Sequence, residues 1–341
     1  MRRLMIDDWR NVHPILKSSN RAKRVVVAAF AAILLSGCGS PEGAPIRVIV
    51  PKGATFSAAT DSLDRAGLVS SPFLFKLYAR INGKDRNIKP GTYLIKRGTP
   101  WGEIVAAMHG GKGLVNTVTI PEGFTIARIV PMLAEALSVP ADSVLAAMMD
   151  TAVMSRLQIP LKTPEGYLFP DTYAFPDGTR PRDAVLEMVR RFEREWKPEW
   201  TARLDSLGFT RHQVVTLASI VEREAKIAKE RPIIAAVYLN RLKVNMPLQA
   251  DPTVQYARGA HTSRVLLKDL EIDSPYNTYK YPGLPPGPIA SPGGASLEAA
   301  LFPADVPFLY FVAAPDGHHE FRRTLEEHNA AVRAVRRAAG G

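Results

Sequence analysis

The chain has 341 residues, of which 46% are hydrophobic and 23% are charged, and its formal net charge is +11. This balance is ordinary for a globular protein and excludes global disorder and a polytopic membrane protein, while the length leaves room for two modest domains. The positive charge favours anionic partners, but the basic residues are scattered and no helix-turn-helix, zinc-finger or RNP pattern accompanies them, so we expect no nucleic acid partner.

The first forty residues, 1–40, have the layout of an export signal. A basic stretch ends at Arg24, and an uninterrupted apolar run extends from Val25 to Leu35. This run rises only about 16 Å as a helix, roughly half of the hydrocarbon core of a bilayer, so a signal-peptide core fits it better than a full span. The basic residues place the N-terminus in the cytoplasm and the rest of the chain on the outer or periplasmic side of the cytoplasmic membrane.

Cys38 is the only cysteine of the chain and lies directly after this run, in the segment Leu35-Ser-Gly-Cys38. The segment resembles a lipobox, at which a bacterial lipoprotein is acylated on cysteine and cleaved. The alternative is an uncleaved membrane anchor in which Cys38 has no special role. Both interpretations anchor the chain at the membrane and export the residues from 41 onward. A single cysteine leaves no internal disulfide.

Residues 46–115 predict a small module, preceded by a Pro/Gly linker at 41–45. Alternating and helical apolar spacing predicts the order strand, helix, helix, strand. This order resembles the LysM βααβ module, which binds N-acetylglucosamine polymers, although it also fits α/β units that bind no carbohydrate. The predicted elements are a strand at 46–50, helices that begin near Thr55 and Phe73, a strand at 89–95 and a third helix near Trp101.

Residues 116–341 predict a larger mixed α+β domain, so the fold class of the whole chain is α+β. The motif Val118–Thr125 repeats the motif Val48–Thr55 at an offset of 70 residues, and each copy leads into an apolar-periodic helix. A long irregular stretch at 245–295 is the type of segment that carries functional sites. The predicted elements are helices near 125–137, 141–150, 181–196, 211–228 and 232–242, and a strand at 308–312.

The helix that begins after Thr210 carries two glutamates. Thr210 and Gln213 form a capping box, and helical spacing counted from Val214 puts Glu222 and Glu224 on opposite shoulders of the apolar face. A carboxyl group that borders both core and cleft has a raised pKa and can act as an acid near neutral pH. Periodicity does not distinguish the two, and it also fits ordinary boundary glutamates paired with nearby basic residues.

Several separated segments together resemble one family. The segments are Glu165-Gly-Tyr-Leu-Phe-Pro-Asp-Thr-Tyr173, Leu217-Ala-Ser-Ile-Val-Glu-Arg-Glu-Ala225, Val237-Tyr-Leu-Asn-Arg241, Leu248-Gln-Ala-Asp-Pro-Thr-Val254, and Ser274-Pro-Tyr-Asn-Thr-Tyr279 leading to Gly283-Leu-Pro-Pro-Gly287. Their content and order are similar to those of the MltG (YceG-like) endolytic murein transglycosylases, and the resemblance covers roughly residues 46–335.

The resemblance implies that the chain cleaves the MurNAc-GlcNAc linkage of peptidoglycan strands, leaves 1,6-anhydroMurNAc ends and terminates nascent strands. The family's catalytic glutamate is that of the Ser-Ile-Val-Glu segment, which here is Glu222. One carboxyl group suffices, because it donates its proton to the bridging oxygen and then deprotonates the MurNAc C6 hydroxyl, unlike the usual two-carboxylate glycosidases. We expect no cofactor and no metal, since His318, His319 and His328 show no recognised ligand spacing.

Other polar and aromatic residues of these segments are candidates to line a cleft for sugars. Amide and hydroxyl groups suit N-acetylated sugars and aromatic faces suit pyranose rings, although a carboxylate at these positions could equally cap a turn or fix a bend. The candidates are Glu165, Tyr167, Gln249, Asp251, Tyr256, Asn277 and Tyr279. The expected partners are glycan strands, the membrane through the N-terminus, and peptidoglycan synthases. A muramidase that admits water and a non-catalytic peptidoglycan-binding scaffold are the two alternatives.

Overall fold

The computed structural model shows a mixed α+β fold of helices and antiparallel strands. The chain divides into two compact units, Met1–Asn116 and Thr117–Gly341. The predicted leader at 1–40, with Cys38, lies outside the described residues. The residues that the structure describes are 42–111, 113–157, 159–259 and 265–338.

The first unit contains the predicted strand, helix, helix, strand order. Its two long strands are antiparallel, with Val48 opposite Tyr93. Thr55 begins the first helix as predicted, because its side chain accepts a hydrogen bond from the N–H of Ala58. The core is mainly aliphatic, and within it the fully buried Phe75 packs against the rings of Phe56 and Trp101. The elements are β1 (Glu42–Val50), α1 (Phe56–Arg65), α2 (Pro72–Ile81), β2 (Gly91–Arg97), α3 (Trp101–Gly110) and the first residues of β3 (Leu114–Thr119).

The second unit is mostly helical. Beside the end of β3, Ile120 donates its N–H to the carbonyl of Asp171, and a second pair of strands is antiparallel with Phe311 opposite Phe321. Short 3-10 turns cover Ala228–Glu230 and Leu267–Glu271. The elements after β3 are α4 (Ile126–Leu137), α5 (Ala141–Met148), α6 (Thr151–Leu157), β4 (Thr172–Pro176), α7 (Pro181–Glu195), α8 (Pro198–Leu207), α9 (Arg211–Glu224), α10 (Arg231–Lys243), α11 (Asp251–Arg258), α12 (Gly294–Leu301), β5 (Tyr310–Ala313), β6 (His319–Arg322) and α13 (Leu325–Ala338).

Among the helices described, none is by itself long and apolar enough to cross a membrane. One bent pair, α4 with α5, meets the requirement of length and composition when the two are counted together, with an angle of 119° between them.

The structure confirms the strongly periodic helices of the second unit and corrects weaker predictions. The stretch 245–295 is not continuously irregular, because α11 and a 3-10 turn lie within it. β4 was not among the predicted elements. Tyr173 and Phe175 of β4 point inward while their neighbours are exposed, which is the alternation of a strand in too short a run to recognise. The helices α6, α8, α12 and α13 and the strand β6 were also missed.

The helix α9 ends at Glu224, earlier than the predicted end near 228. Ala225 has extended backbone, and the chain makes a 3-10 turn before it re-enters helical structure at Arg231. The break is favoured by tertiary contacts: Glu230 is buried against His319, and the Arg231 side chain contacts Glu222. An uninterrupted helix is therefore outweighed by interactions that local propensity does not include.

The predicted one-sided apolar face of α9 is wrong over most of the helix. Every residue from Val214 to Val221 is buried, because α10, α11 and α12 all pack against this helix. A helix that is buried all round carries no polar stripe from which a cleft could be located. The environment of the two glutamates at its end therefore depends on their individual contacts.

Candidate functional site

Glu222 lies in the last turn of α9, and only 6% of its side chain is exposed. Its Oε1 accepts a hydrogen bond from Nη2 of Arg231 at 3.2 Å, and its Oε2 accepts one from the N–H of Gly293 at 3.0 Å. Arg231 begins α10 and Gly293 is the N-cap residue of α12. Three helix ends therefore meet at one carboxylate. A charge-assisted hydrogen bond from Arg231 and a hydrogen bond from the backbone amide of Gly293 fix its orientation.

Arg231 also contacts a second carboxylate. Its Nη2 lies 3.8 Å from Oε2 of Glu122, whose side chain is 50% exposed, and its Nε donates to the hydroxyl of Ser296 at 3.0 Å. Partial burial, and then the negative charge of Glu222, raise the pKa of Glu122, while Arg231 acts in the opposite direction. The guanidinium thus lies between two acidic groups that compete for it.

The turn that carries Glu122 is fixed by backbone hydrogen bonds. Gly123 donates its N–H to the carbonyl of Ser291, and Ser291 donates its N–H to the carbonyl of Phe124, both at 2.8 Å. Oε1 of Glu122 lies directly over Gly293, where a Cβ atom would be only 1.8 Å from it. Residue 293 therefore has to be glycine if Glu122 is to keep this position.

A cavity of about 540 Å³ borders Gly123 and Arg223, the sequence neighbours of Glu122 and Glu222. Its volume is in the range of small-molecule sites. The lining combines apolar side chains with a few polar ones, among them Arg128, Glu165 and Tyr256. Two of the predicted cleft residues, Glu165 and Tyr256, therefore line a cavity next to Glu222.

Glu165 is almost fully buried, with 4% of its surface exposed. Both of its carboxyl oxygens accept hydrogen bonds from the N–H of Ile126, at 3.1 and 3.3 Å, and Oε2 accepts one from the hydroxyl of Tyr256 at 3.3 Å. Burial raises the pKa of Glu165 to about 7, although these hydrogen bonds act in the opposite direction. The side chain caps the N-terminus of α4 and so has a structural function at the cavity wall.

Tyr167 is a core residue in the structure. It is 1% exposed, and its ring packs edge-on against Phe192. Its hydroxyl is 2.9 Å from Nδ1 of His212, whose Nε2 is 2.8 Å from the carbonyl of Pro286. Because a carbonyl only accepts, Nε2 carries the hydrogen and Nδ1 accepts from the tyrosine in the neutral ring. These hydrogen bonds connect α9 to the segment Gly283-Leu-Pro-Pro-Gly287.

Glu224 and two other predicted residues belong to a separate group. Burial raises the pKa of Glu224 to about 7, and the negative charge of Asp251 adds to the effect, whereas a hydrogen bond from the hydroxyl of Tyr238 at 3.0 Å opposes it. Tyr279 donates its hydroxyl to Oδ1 of Asp251 at 2.6 Å. The two glutamates that periodicity left equivalent therefore differ: Glu222 contacts a cation and an amide, and Glu224 contacts a buried phenol.

The two predicted amide residues are placed very differently. Gln249 is exposed and has a left-handed backbone with φ of 49°, while its N–H donates to the carbonyl of Thr278 at 3.1 Å. Asn277 is fully buried, and its Nδ2 donates to the carbonyls of Leu270 and Ile272, both at 2.9 Å. Asn277 holds its own loop together, so only Gln249 presents its side chain to solvent.

Two of the three histidines that were considered as metal ligands, His318 and His319, contact carboxylates instead. Nδ1 of His319 lies 2.7 Å from Oε2 of the buried Glu230, and His318 contacts the exposed Asp316. Across the portions of the chain that are described, no group of three or more His, Cys, Asp or Glu residues is arranged to hold a metal ion.

Three residues of the site were missed in the sequence: Glu122, Arg231 and Gly293. One signal pointed to Glu122, because it replaces Lys52 in an otherwise similar repeat, and a charge reversal in a repeated turn indicates a different environment. Arg231 and Gly293 are far from Glu122 in sequence and carry no motif that distinguishes them from a helix-starting arginine and an ordinary loop glycine.

The chain is similar to several known proteins. The profile of the YceG-like family matches residues 48–334. An endolytic murein transglycosylase of Bacillus subtilis (strain 168) is 35% identical over 301 residues, which cover 84% of this chain and 83% of that protein. An endolytic murein transglycosylase of Streptococcus pneumoniae (strain D39) is 29% identical over 319 residues, which cover 84% of this chain and 58% of that relative. The crystal structure of a yceG-like protein from Listeria monocytogenes matches with a TM-score of 0.62 and 35% identity, over 84% of this chain and 98% of that one.

Proposed function

The chain belongs to the YceG-like family, and on that premise we propose that it is an endolytic murein transglycosylase, a lyase of peptidoglycan strands, in which Glu222 is the catalytic acid and base. One observation carries the assignment of the residue. In a chain 35% identical to such an enzyme, the glutamate of the Ser-Ile-Val-Glu segment is a nearly buried carboxylate, oriented by Arg231 and by the Gly293 N–H next to a cavity. Glu224 instead accepts a hydrogen bond from the buried Tyr238 hydroxyl.

The proposed reaction needs one proton and no water at the sugar. Protonated Glu222 donates to the oxygen that bridges MurNAc and GlcNAc, the C1–O bond breaks, and the GlcNAc-initiated strand leaves. Glu222, now ionised, accepts the proton of the MurNAc C6 hydroxyl while O6 bonds to C1, which gives the 1,6-anhydro end. The proton taken from the C6 hydroxyl replaces the one that remains on the leaving GlcNAc, so a single carboxyl group completes the cycle, in contrast to the paired carboxylates of most glycosidases.

The cleft for the strand is the cavity beside Gly123 and Arg223. Tyr256 and Gln249 contribute a phenol and an amide to sugar binding, while Glu165, Tyr167 and Asn277 keep the surrounding segments in place. Asp251 and Tyr279 are paired with each other by a hydrogen bond. The assignment of Glu165, Tyr167 and Asn277 is based on burial, since a side chain without solvent-accessible atoms cannot contact a polymer.

The remaining parts of the chain would bring the enzyme to its substrate. We assign membrane anchoring to residues 1–40, through Cys38 or through an uncleaved helix, with the rest of the chain outside the cytoplasmic membrane. The βααβ order of residues 46–95 supports a LysM-like module that binds or orients glycan, and residues 116–341 then form the catalytic domain. An enzyme anchored in this way would meet nascent strands first, which supports a function in strand termination next to the synthases.

Glu222→Gln tests the proposal on isolated peptidoglycan strands. We expect turnover to fall by a factor of about a hundred or more, as for other acid-base residues, with strand binding retained. Glu135→Gln is the matched control, because Glu135 lies exposed on α4. Thermal unfolding monitored by circular dichroism checks that both variants fold. Turnover of a folded Glu222→Gln variant at the parent rate would contradict the assignment of the residue.

The products separate the two alternatives. Mass spectrometry should find 1,6-anhydroMurNAc ends, each lighter by one water than the reducing ends that a muramidase would leave. A parent protein that binds strands and releases no fragments would instead be a scaffold.

A further inference from the structure

Glu222 has hydrogen-bond donors at both of its oxygens. The guanidinium of Arg231 donates to one oxygen and the Gly293 N–H donates to the other. This arrangement suits an ionised carboxylate, which only accepts, and gives no acceptor to a proton on either oxygen. The resting geometry therefore fits the base that takes the C6 hydroxyl proton, whereas the first step needs an acid that already holds a proton.

A second carboxyl group stands at the same guanidinium. Oε2 of Glu122 and Oε1 of Glu222 are 3.8 and 3.2 Å from the same nitrogen, Nη2 of Arg231. Two carboxylates around one cation carry a net charge of −1, and one bound proton makes the cluster neutral. The two carboxylates compete for one positive charge, and the negative charge of Glu222 raises the pKa of Glu122.

The contacts of the two groups indicate which one holds this proton at rest. Arg231 is closer to Glu222 than to Glu122, and Glu222 also accepts a hydrogen bond from the N–H of Gly293, so its ionised form is the better stabilised of the two. Half of the Glu122 side chain is exposed. Burial and the charge of Glu222 raise the pKa of Glu122. Glu122 is thus in contact with solvent protons and is the less strongly neutralised member of the pair.

We propose that Glu122 and Glu222 share one proton around Arg231, with Glu122 holding it at rest and transferring it to Glu222 for the first step of the reaction. The proposal rests on the function proposed for Glu222. Glu122 is a positioning residue in this scheme, since it acts through Glu222 and does not have to touch the sugar.

The number of protons on the two glutamates is the same before and after one cycle. The proton moves from Glu122 to Glu222 and then to the bridging oxygen as the C1–O bond breaks. The C6 hydroxyl then loses its proton to Glu222 as the new C1–O6 bond forms, and this proton passes back to Glu122. The cluster begins and ends with one proton, and no oxidant, reductant or net water is consumed.

The structure provides two independent ways to disturb Glu122. Glu122→Gln removes its charge and keeps its size. Gly293→Ala leaves residue 122 unchanged, but its Cβ would lie 1.8 Å from Oε1 of Glu122 and so displaces that side chain. Backbone strain does not arise, because φ of Gly293 is −77°, and the amide that contacts Glu222 is retained. Glu122→Asp restores the charge with a shorter side chain.

The experiment compares the full chain and these variants on peptidoglycan strands from pH 4 to 9, with Glu135→Gln as control. For Glu122→Gln we expect kcat near neutral pH to fall about tenfold and KM to change less than twofold. The alkaline limb of the pH profile should move at least one pH unit lower, because without the charge of Glu122 the remaining carboxyl loses its proton more easily. Gly293→Ala should move the limb in the same direction, and Glu122→Asp should restore most of the parent profile.

The outcomes separate this proposal from the function on which it rests. If Glu222→Gln is inactive while folded Glu122→Gln and Gly293→Ala keep the parent profile, the shared proton is refuted and the function of Glu222 stands. A uniform loss of activity with an unshifted alkaline limb refutes it as well, because that result is what a purely structural contact predicts. If folded Glu222→Gln turns over at the parent rate, the proposed function itself fails.

Discussion

The buried carboxyl of Glu165 should make the stability of the chain depend on pH in a way that Glu165→Gln removes. Its pKa is raised from 4.5 to about 7 in the fold, mainly by burial. Between these two pH values the folded chain holds a proton at Glu165 that the unfolded chain has released. The stability contributed by the neutral carboxyl is therefore complete below about pH 4.5 and is lost as the pH rises through 7.

The magnitude comes from the shift in pKa. At about 1.4 kcal/mol for each pKa unit, the parent should lose up to about 3 kcal/mol relative to Glu165→Gln between pH 4.5 and 8. Glutamine can keep the main contacts, because its Oε1 can accept from the N–H of Ile126 and its amide nitrogen can donate to the hydroxyl of Tyr256. The variant should therefore be similar to the parent at low pH and more stable at high pH.

Urea unfolding of both proteins at a series of pH values measures this difference in stability. The titration of the other groups contributes equally to both proteins and cancels when one free energy of unfolding is subtracted from the other. Glu135→Gln provides the matched control, because Glu135 is exposed on the same helix that Glu165 caps. Its stability should match that of the parent at every pH. A difference between parent and Glu165→Gln that stays constant from pH 4.5 to 8 would refute the description of Glu165 as a buried, partly protonated cap.

Two further substitutions test the packing around the site. Gly166 has φ of 82°, and a Cβ there would lie 2.3 Å from Cβ of Pro288, whereas Gly178 has φ of 76° and open space around it. Gly166→Ala should therefore lower the free energy of unfolding by well over the roughly 1 kcal/mol expected for Gly178→Ala. Equal unfolding midpoints of the two variants would contradict the close approach. Asn277→Ala removes the donor to the carbonyls of Leu270 and Ile272 and the acceptor of the Tyr279 N–H, and should lower the free energy of unfolding by about 2 kcal/mol or more. A change below about 0.5 kcal/mol in denaturant unfolding would show that the loop does not depend on this amide.

Local signals in the sequence determined most of the helices and the order of the motifs. Thr55 and Thr210 cap helices at the predicted positions, because an N-cap bond joins residues only three apart and needs no information from the rest of the fold. The short strands β4 and β6 were missed because four or five residues give too little alternation to recognise. The partner of β4 is β3, which lies far earlier in the chain, so its pairing leaves no local signal.

The choice between the two glutamates of α9 shows where sequence reasoning ended. Helical spacing made Glu222 and Glu224 equivalent, and only the resemblance of the surrounding segments favoured Glu222. The tertiary structure separates them physically, because Arg231 and the amide of Gly293 reach Glu222 while the hydroxyl of Tyr238 reaches Glu224.

What the sequence by itself determined about this protein is its class, its helices and the carboxylate to consider. What only the tertiary structure decided is the set of groups around that carboxylate. Three separate segments contribute a competing negative charge from Glu122, a cation from Arg231 and a backbone amide from Gly293. Such an arrangement depends on how buried helices pack and where their ends meet, and a contact such as that of Glu222 with Gly293, across 71 residues, leaves no periodic signal in the chain.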